Sequence, residues 1–183
     1  PHHHAALFAR CDPSPQRVVM SSAVTYTATT SAYGPAFASN ESLTSKLEDG
    51  DKMVLSGRVL ELLHQKFGDN PLPNPIIFQV SARSAIPGAP QLHTHCGILE
   101  FSTQQGMGIL PAGVMANLGL SDGIPIMMRL KQLPKAGRVV LQPMSPEFGA
   151  IDNPRAALHN AFGVYTCLTK GDTITLKVGR EKH

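Results

Sequence analysis

Aromatic residues are scarce in this chain: tryptophan is absent, and its 183 residues include only seven Phe and three Tyr. Aromatic rings are the platforms on which the bases of single-stranded nucleic acids stack, so this scarcity argues against such ligands. Charged residues make up 16% of the chain, against roughly 25% in a typical globular domain. The net charge of +3 comes from dispersed Lys and Arg, without a block of like charges. We therefore expect no nucleic-acid partner.

Long apolar runs and paired cysteines are also missing. No stretch approaches the roughly 18 consecutive apolar residues that a membrane-spanning helix needs, so no membrane span is expected. The three cysteines, Cys11, Cys96 and Cys167, are odd in number and far apart, which is typical of free thiols in a reducing compartment. No secretory signal is present. We interpret the histidine-rich start at 1–4 as a purification-tag remnant, and residues 1–16 as a flexible N-terminus outside the fold.

Motifs for cofactor and metal binding are absent or weak. There is no phosphate-cradling Gly-x-Gly-x-x-Gly or Walker sequence, so we expect no nucleotide site and no cofactor. His93, His95 and Cys96 form the only cluster with residue types that bind metals. In an extended strand the two histidines share a face and Cys96 points the other way, whereas zinc takes three or four protein ligands. We predict that Cys96 packs in a strand and that no metal is bound.

Catalytic groups are equally hard to assemble. A Cys167 nucleophile needs a histidine within hydrogen-bond reach, and His159 is eight residues away across a predicted helix. The Asp-Gly pairs at 49–50 and 122–123 lack the Thr or Ser of an Asp-Thr-Gly carboxylate dyad, and both suit turns. We therefore assign no catalytic residue.

The first quarter of the chain carries weak signals. Residues 1–48 are rich in Ser, Ala and Thr. The mixed apolar and polar stretch at 17–26 predicts a first strand. The small polar residues at 27–40, around Gly34-Pro35, predict a loop.

From residue 49 onward the chain repeats a strand–helix–strand pattern. Each copy begins with a short apolar stretch and continues with apolar residues on one face of a 3.6-residue period. Ser56 suits the N-cap of the first helix, and Pro111 suits the first turn of the second. Two such copies predict a pseudo-twofold β-barrel in which Leu55 and Leu110 are equivalent and buried. The predicted strands are 53–56 and 75–78 in the first copy, 108–111 and 125–128 in the second, with further strands at 96–101 and at 138–142, the last closing the barrel.

A smaller unit follows the barrel. Asn153 is a good N-cap with Pro154 at the first helical position, so a short helix is expected there. Strands at 164–168 and 173–178 are joined by a tight turn for which Gly171 offers a positive φ. The predicted domains are a barrel over 17–142 and a small α/β subdomain over 143–183.

Five segments in the second half carry a family resemblance. In order they read THCGILEF at 94–101, LPAGVMANL at 110–118, QPMSPEF at 142–148, NPRAALHNA at 153–161 and CLTKGDTI at 167–174. Together they closely resemble the N-terminal region of the ubiquitin fusion degradation protein 1 family. The resemblance implies a β-rich α+β fold, in which a double-psi β-barrel precedes a small α/β subdomain. In the family, the sheet of that subdomain continues past the point where this chain stops.

The resemblance also implies a function. Family members are non-enzymatic adaptors that bind ubiquitin and ubiquitin chains, pair with nuclear protein localisation protein 4 and dock on the valosin-containing AAA ATPase. That ATPase unfolds ubiquitylated proteins for proteasomal degradation, including ER-associated degradation, so a cytoplasmic and nuclear location is expected. The family's segments for the ATPase and the partner adaptor lie C-terminal to this region. The alternative is an enzyme, a hydrolase or a decarboxylase, on the same barrel.

Two surfaces are candidates for ubiquitin binding. Because ubiquitin presents a small apolar patch ringed by basic residues, its receptor needs exposed apolar contacts with polar or acidic neighbours. One candidate is the loop within residues 68–74 of the first repeat, which has five residues more than its counterpart in the second and in which Leu72 lies between two prolines. The second candidate is the polar face of the small-subdomain helix with the turn that follows it: Asn153, Arg155, His159, Thr169, Lys170 and Asp172. If neither surface binds ubiquitin, the cleft between the subdomains is the remaining candidate site.

Overall fold

The computed structural model describes residues 3–13, 26–82, 91–144 and 146–178. The elements in chain order are β1 (His3–Pro13), β2 (Thr27–Tyr33), α1 (Glu41–Glu48), β3 (Lys52–Ser56), α2 (Gly57–Phe67), β4 (Ile77–Ala82), β5 (His93–Thr103), β6 (Met107–Ile109), α3 (Ala112–Leu118), β7 (Ile124–Lys131), β8 (Ala136–Pro143), α4 (Pro154–Phe162) and β9 (Thr173–Val178). None of the helices in these residues has the length and apolar character needed to cross a membrane. The strand predicted at 17–26 lies outside the described residues, apart from Tyr26.

Six strands close a barrel in the order β2-β6-β3-β5-β4-β7. The strands β3 and β6 meet antiparallel where Val54 pairs with Ile109. In addition, β3 runs parallel to β5, and β6 runs parallel to β2. The circular order is unchanged when the two copies are exchanged, that is, when β3 takes the place of β6, β4 that of β7 and β2 that of β5. The helices α2 and α3 exchange in the same operation. The predicted repeat is confirmed, and the architecture is that of a double-psi β-barrel.

The barrel core reflects the same symmetry. Leu55 and Leu110 occupy equivalent positions, and both are fully buried. Val114 in α3 is 4% exposed, whereas its counterpart Val59 is only partly buried against the same apolar cluster. The two helices therefore cover the barrel to different degrees.

The helix starts differ slightly from expectation. Ser56 occupies the N-cap of α2 but makes no side-chain cap hydrogen bond. Pro111 is the N-cap of α3 rather than a residue of its first turn. At the end of α3, Gly119 has a φ of 61°, a left-handed conformation that glycine adopts without steric cost.

The strand that completes the barrel is β2, which pairs with β7 along its length. The prediction of a loop at 27–40 is therefore wrong for Thr27–Tyr33. The reason is that β2 buries small residues: Ala32 is fully buried and Thr30 is 8% exposed. A strand that packs through Ala and Thr gives almost no apolar signal in the sequence.

A second sheet has three strands in the order β8-β1-β9, with β1 antiparallel to both neighbours. The exclusion of residues 1–16 from the fold is wrong for His3–Pro13, which form the central strand and bury Leu7 and Ala9 completely. The prediction that the strand at 138–142 closes the barrel is also wrong, because β8 pairs with β1. We call this sheet, α4 and the connecting residues 164–172 the small subdomain.

The helix of the small subdomain begins as predicted. The Asn153 side chain accepts a hydrogen bond from the N–H of Ala156 at 3.1 Å, and Pro154 is the first helical residue. Its apolar face is only partly buried. That face packs against Leu7 and Ile174 through Leu158, Ala161 and Phe162.

The segment after α4 departs from prediction. The strand expected at 173–178 is present as β9, and Gly171 has the expected positive φ, at 98°. The strand expected at 164–168 is wrong, because these residues are irregular. Two of their backbone N–H groups, those of Thr166 and Cys167, bond to a carboxylate of the barrel instead of a neighbouring strand.

Candidate functional site

Asp51 joins the barrel to the small subdomain. It lies immediately before β3 and is only 4% exposed. Its carboxylate accepts hydrogen bonds from the N–H groups of Thr166 at 2.7 Å and Cys167 at 2.8 Å. The Cys167 thiol also donates to it, at 3.2 Å. Burial raises the pKa of Asp51, and these hydrogen bonds oppose that rise. The carboxylate thus anchors an irregular segment that has no strand partner.

A second polar contact lies beside the first, on β5. The Thr169 hydroxyl oxygen accepts from the N–H of His95 at 3.0 Å and lies 2.9 Å from its Nδ1. The hydroxyl donates to Nδ1 when the ring is neutral and carries its proton on Nε2. Burial, with smaller effects from His93 and Lys131, lowers the pKa of His95 to about 4. The ring is therefore neutral at physiological pH and holds Thr169 in place.

Asp172 adds to this contact. The hydroxyl of Thr94, a residue only 2% exposed, donates a hydrogen bond to the Asp172 carboxylate. Burial raises the pKa of Asp172, and the Thr94 hydrogen bond opposes the rise. Asp172 therefore serves the junction between the subdomains rather than an open surface.

The junction is closed to ligands. The Asn117 side chain exchanges two hydrogen bonds of 3.0 Å with the backbone of Thr173. A Cβ added at Gly97 would lie 2.8 Å from the Cβ of Thr166, so only glycine permits this approach. The remaining cavity measures about 20 Å³, room for about one water molecule. The cleft considered as the remaining ubiquitin site therefore has little internal space where these residues line it.

An open groove of about 570 Å³ lies farther along β5, at residues 98–101. We call it the proline-loop groove, because one wall is the loop that joins α2 to β4. Its apolar wall residues are half-buried and pack on the barrel core, while Glu100 is exposed at its rim. Lys52 also borders it. The apolar wall residues include Leu72, Ile76, Ile98 and Phe101.

Leu72 is thus in the groove, although not as the free loop tip that its two flanking prolines indicated. Its side chain is half-buried against the barrel cluster. The neighbouring Ile98 and Phe101 belong to β5, and the sequence analysis selected neither as a binding residue. Both lie in the segment at 94–101 that carried the family resemblance, which was the available signal.

The second candidate surface is divided by the structure. Arg155, His159 and Lys170 are exposed, as is Asn153, which also caps α4. Thr169 and Asp172 are partly buried and face β5. The premise that all six residues lie on one open surface is therefore wrong. The reason is that Thr169 and Asp172 hold the small subdomain against the barrel.

The thiols are protected. Cys96 is fully buried, and burial raises its pKa well above the usual range. Burial and the nearby Asp51 carboxylate also raise the pKa of Cys167. Both thiols are free. A thiol held in its protonated form is a poor nucleophile.

The histidine pair behaves as the strand geometry predicts. The rings of His93 and His95 share a face and lie 5.8 Å apart, edge to face, while Cys96 points into the barrel. Within the described ranges, no three His, Cys, Asp or Glu side chains come together as a metal site.

In the Asp-Gly turn at 122–123, the Asp122 carboxylate accepts a hydrogen bond from the N–H of Gly34 at 2.7 Å.

Asp51 and Asn117 are the junction residues that sequence reasoning missed. Asp51 belongs to no motif, whereas Asn117 lies in the segment at 110–118 that carried the family resemblance. Asp51 follows the turn residues Asp49-Gly50 and reads as part of that turn, while Asn117 reads as a polar position in a helix. Their partners are 115 and 56 residues away, so local sequence did not show what either side chain binds.

Comparison with known proteins agrees with this architecture. Residues 26–134 match the family model for the ubiquitin fusion degradation protein UFD1, N-terminal subdomain 1. The ubiquitin fusion degradation protein 1 homolog of Caenorhabditis elegans is 41% identical over 151 residues, 81% of this chain and 42% of that protein. The human ubiquitin recognition factor in ER-associated degradation protein 1 is 33% identical over 132 residues, 72% of this chain and 40% of that protein.

The Dictyostelium discoideum homolog of ubiquitin fusion degradation protein 1 is 33% identical over 137 residues, 75% of this chain and 39% of that protein. The chain thus spans about two fifths of the length of these three relatives. The family model covers more than half of the chain, including every strand of the barrel. On these grounds, the chain belongs to the ubiquitin fusion degradation protein 1 family.

Proposed function

We propose that this chain is a non-enzymatic ubiquitin-recognition domain and that it holds ubiquitin in the proline-loop groove. The human relative is named a ubiquitin recognition factor. The observation that carries the choice of surface is that the groove combines half-buried apolar walls with an exposed carboxylate, Glu100, at its rim.

The chemistry of the groove suits the ligand. The apolar patch of ubiquitin would rest on Leu72, Ile98 and Phe101, and its basic ring would face Glu100. Lys52 on the border would repel that basic ring, so the two charges together favour one orientation. The half-buried walls make the groove largely preformed, because they are held by the barrel core.

A contact confined to this groove would be weak, and linked ubiquitins would strengthen it. A chain that engages a second site gains through effective concentration without new chemistry. We therefore propose ubiquitin chains as the preferred ligand. The exposed residues Arg155, His159 and Lys170 of the small subdomain offer a second contact for such a chain.

The adaptor role is proposed for the intact protein. There, ubiquitylated clients would pass to the valosin-containing AAA ATPase for unfolding, with nuclear protein localisation protein 4 as the partner adaptor. Because this chain aligns with 40% of the human relative, we place those two contacts in the rest of the family's length. A cytoplasmic and nuclear location accompanies this proposal. The raised pKa of both described thiols supports a role without covalent chemistry.

The test is a titration of isotope-labelled ubiquitin, alone and in linked chains, against variants of this domain. Glu100→Lys should weaken binding about tenfold, because it replaces attraction at the rim with repulsion. Leu72→Ala should weaken it as well. The matched control is Glu48→Lys, an exposed position outside the groove, which should bind like the wild type.

Three outcomes are informative. Loss of binding in Arg155→Glu/Lys170→Glu, with normal binding in Glu100→Lys and Leu72→Ala, would move the primary site to the small subdomain. Normal binding in all of these variants would reject both surfaces. Absence of any shift in ubiquitin or its chains with the folded wild-type domain would reject ubiquitin recognition itself.

A further inference from the structure

The proline-loop groove is not built by the barrel alone. Besides the loop and β5, its lining includes Thr166, a partly buried residue of the small subdomain. Thr166 belongs to the irregular segment 164–168, which is attached to the barrel by side-chain hydrogen bonds rather than by strand pairing. The shape of the groove therefore depends on how firmly this segment is held.

Gly97 is the point at which Thr166 reaches the barrel. Gly97 immediately precedes Ile98, an apolar wall residue of the groove, and it pairs in register with Lys52 at the border. A Cβ added at Gly97 would lie 3.1 Å from the Cγ2 of Thr166. The Thr166 side chain therefore lies directly over the Gly97 backbone, beside the wall that Ile98 supplies.

Asp51 holds both sides of this contact. Its backbone C=O accepts a hydrogen bond from the N–H of Gly97 at 3.1 Å. Its carboxylate accepts hydrogen bonds from the N–H groups of Thr166 at 2.7 Å and Cys167 at 2.8 Å. Because Asp51 is only 4% exposed, water cannot readily take over these bonds. A single residue thus fixes β5 and the segment 164–168 relative to each other.

The side chain and the backbone of Thr166 have separate roles. The backbone N–H carries the hydrogen bond to Asp51. The hydroxyl oxygen is buried and has no hydrogen-bond partner in the part of the chain that the structure describes. The side chain therefore contributes shape to the groove, and it can be truncated while the bond to Asp51 remains.

We propose that Asp51 is a positioning residue for the proline-loop groove, because it fixes Thr166 as the wall beside Gly97. This proposal rests on the binding of ubiquitin in that groove, proposed above. Asp51 does not line the groove, so it acts on the ligand only through Thr166. A ligand that packs against Thr166 stabilises the attached segment, and the attached segment strengthens ligand binding by the same factor.

The main test compares Asp51→Asn with Asn117→Ala in the whole 183-residue chain. Asparagine has the shape of aspartate, but its NH2 group cannot accept a hydrogen bond, so at least one backbone bond is lost. Asn117 is the matched control, because it also makes two hydrogen bonds to the small subdomain, at Thr173, but does not line the groove. In titrations with isotope-labelled ubiquitin chains, Asp51→Asn should bind about fivefold more weakly. Asn117→Ala should bind like the wild type.

Hydrogen exchange measures the linkage itself. The amides of Thr166 and Cys167 should exchange more slowly in the wild type when ubiquitin chains are bound. A second variant, Thr166→Ala, keeps both backbone hydrogen bonds to Asp51 and should melt near the wild-type temperature. It should nevertheless bind roughly threefold more weakly, as expected when one methyl contact is removed. This variant tests the wall even if Asp51→Asn does not fold.

The position of the wall can also be measured without ubiquitin. The methyl resonances of Ile98 should shift in Asp51→Asn, because the neighbouring Thr166 is released. They should stay in place in Asn117→Ala. Unmoved Ile98 resonances in a folded Asp51→Asn variant would show that the wall does not depend on Asp51, and would overturn the proposal.

Failure of the positioning role can be distinguished from failure of the ubiquitin proposal. If Glu100→Lys and Leu72→Ala weaken binding while Asp51→Asn and Thr166→Ala bind like the wild type, the groove stands and the positioning role is rejected. Equal weakening in Asp51→Asn and Asn117→Ala would also reject it, because a general loosening of the junction would then suffice. If the folded wild-type chain binds no ubiquitin, both proposals are rejected.

Discussion

Replacing Asp51 with alanine should weaken the junction between the barrel and the small subdomain. The change removes the acceptor for two backbone N–H groups, at 2.7 Å from Thr166 and 2.8 Å from Cys167. Each buried N–H left without a partner costs about 1–3 kcal/mol. The loss is partly offset because the variant no longer buries a carboxylate, the effect that raises the pKa of Asp51. We expect a net loss of about 2 kcal/mol in the free energy of unfolding.

Equilibrium denaturation in urea and thermal melting measure this loss directly. For a protein of this size, about 2 kcal/mol lowers the melting temperature by about 4–8 °C. Hydrogen exchange should show the amides of Thr166 and Cys167 opening first, because they lose their acceptor. The matched control is Asp122→Ala, whose carboxylate accepts one backbone N–H at the same 2.7 Å but at an exposed position.

The control separates burial from hydrogen bonding. In Asp122→Ala, water replaces the lost acceptor at Gly34, so the free energy of unfolding should fall by less than about 1 kcal/mol. An Asp51→Ala variant as stable as Asp122→Ala would refute the reasoning, since it would mean that the two buried N–H groups find other partners at no cost. Unchanged protection of Thr166 and Cys167 would refute it independently.

Three further predictions concern the same framework. Gly97→Ala should lower the free energy of unfolding by about 1–3 kcal/mol, because the added methyl group crowds Thr166. Thr166→Ala should recover part of this loss, which denaturation of the double variant would measure. A fully tolerated Gly97→Ala would contradict the close approach. Because the pKa of His95 is lowered from 6.5 to about 4, the unfolded chain takes up a proton there before the native state does. The contribution of His95 to stability should therefore fall as pH decreases from 6.5 to about 4, while the raised pKa values of Asp51 and Asp172 act in the opposite direction. His95→Gln should remove the His95 contribution from the measured pH dependence, and a pH dependence identical to that of the wild type would reject this origin. Leu110→Ala, at a fully buried position, should cost about 2–5 kcal/mol in urea denaturation, and a loss below about 1 kcal/mol would contradict its place in the core.

The barrel was predictable where its strands and helices have regularly spaced apolar residues. Strands and helices in a core need apolar residues at fixed spacing. The repeat is therefore indicated by the stretches around Leu55 and Leu110 and by the helices that follow them. The strand β2 was not predictable in this way, since its buried positions are Ala32 and Thr30. Its pairing with β7 supplies the backbone hydrogen bonds that the side-chain pattern does not indicate.

The candidate groove was half predictable. The prolines around Leu72 indicate an irregular loop, and the resemblance marked the strand that carries Ile98, Glu100 and Phe101. The sequence did not show that this loop lies beside that strand. The placement depends on tertiary structure, because the loop residues pack on a core built by both repeats. The selection of Thr169 and Asp172 as surface residues failed for the same reason: polarity in a turn does not reveal that a buried Thr94 lies opposite.

The sequence by itself therefore determined the features that depend on residues close together along the chain. These are the repeated strand–helix–strand units, the cap at Asn153, the turn at Gly171 and the family to which the chain is similar. Only the tertiary structure decided which elements meet: β1 with β8 and β9, and Asp51 with Thr166 across 115 residues. The physical reason is that helix periodicity, caps and turns depend on neighbours in sequence, whereas strand pairing and buried hydrogen bonds depend on groups brought together by folding.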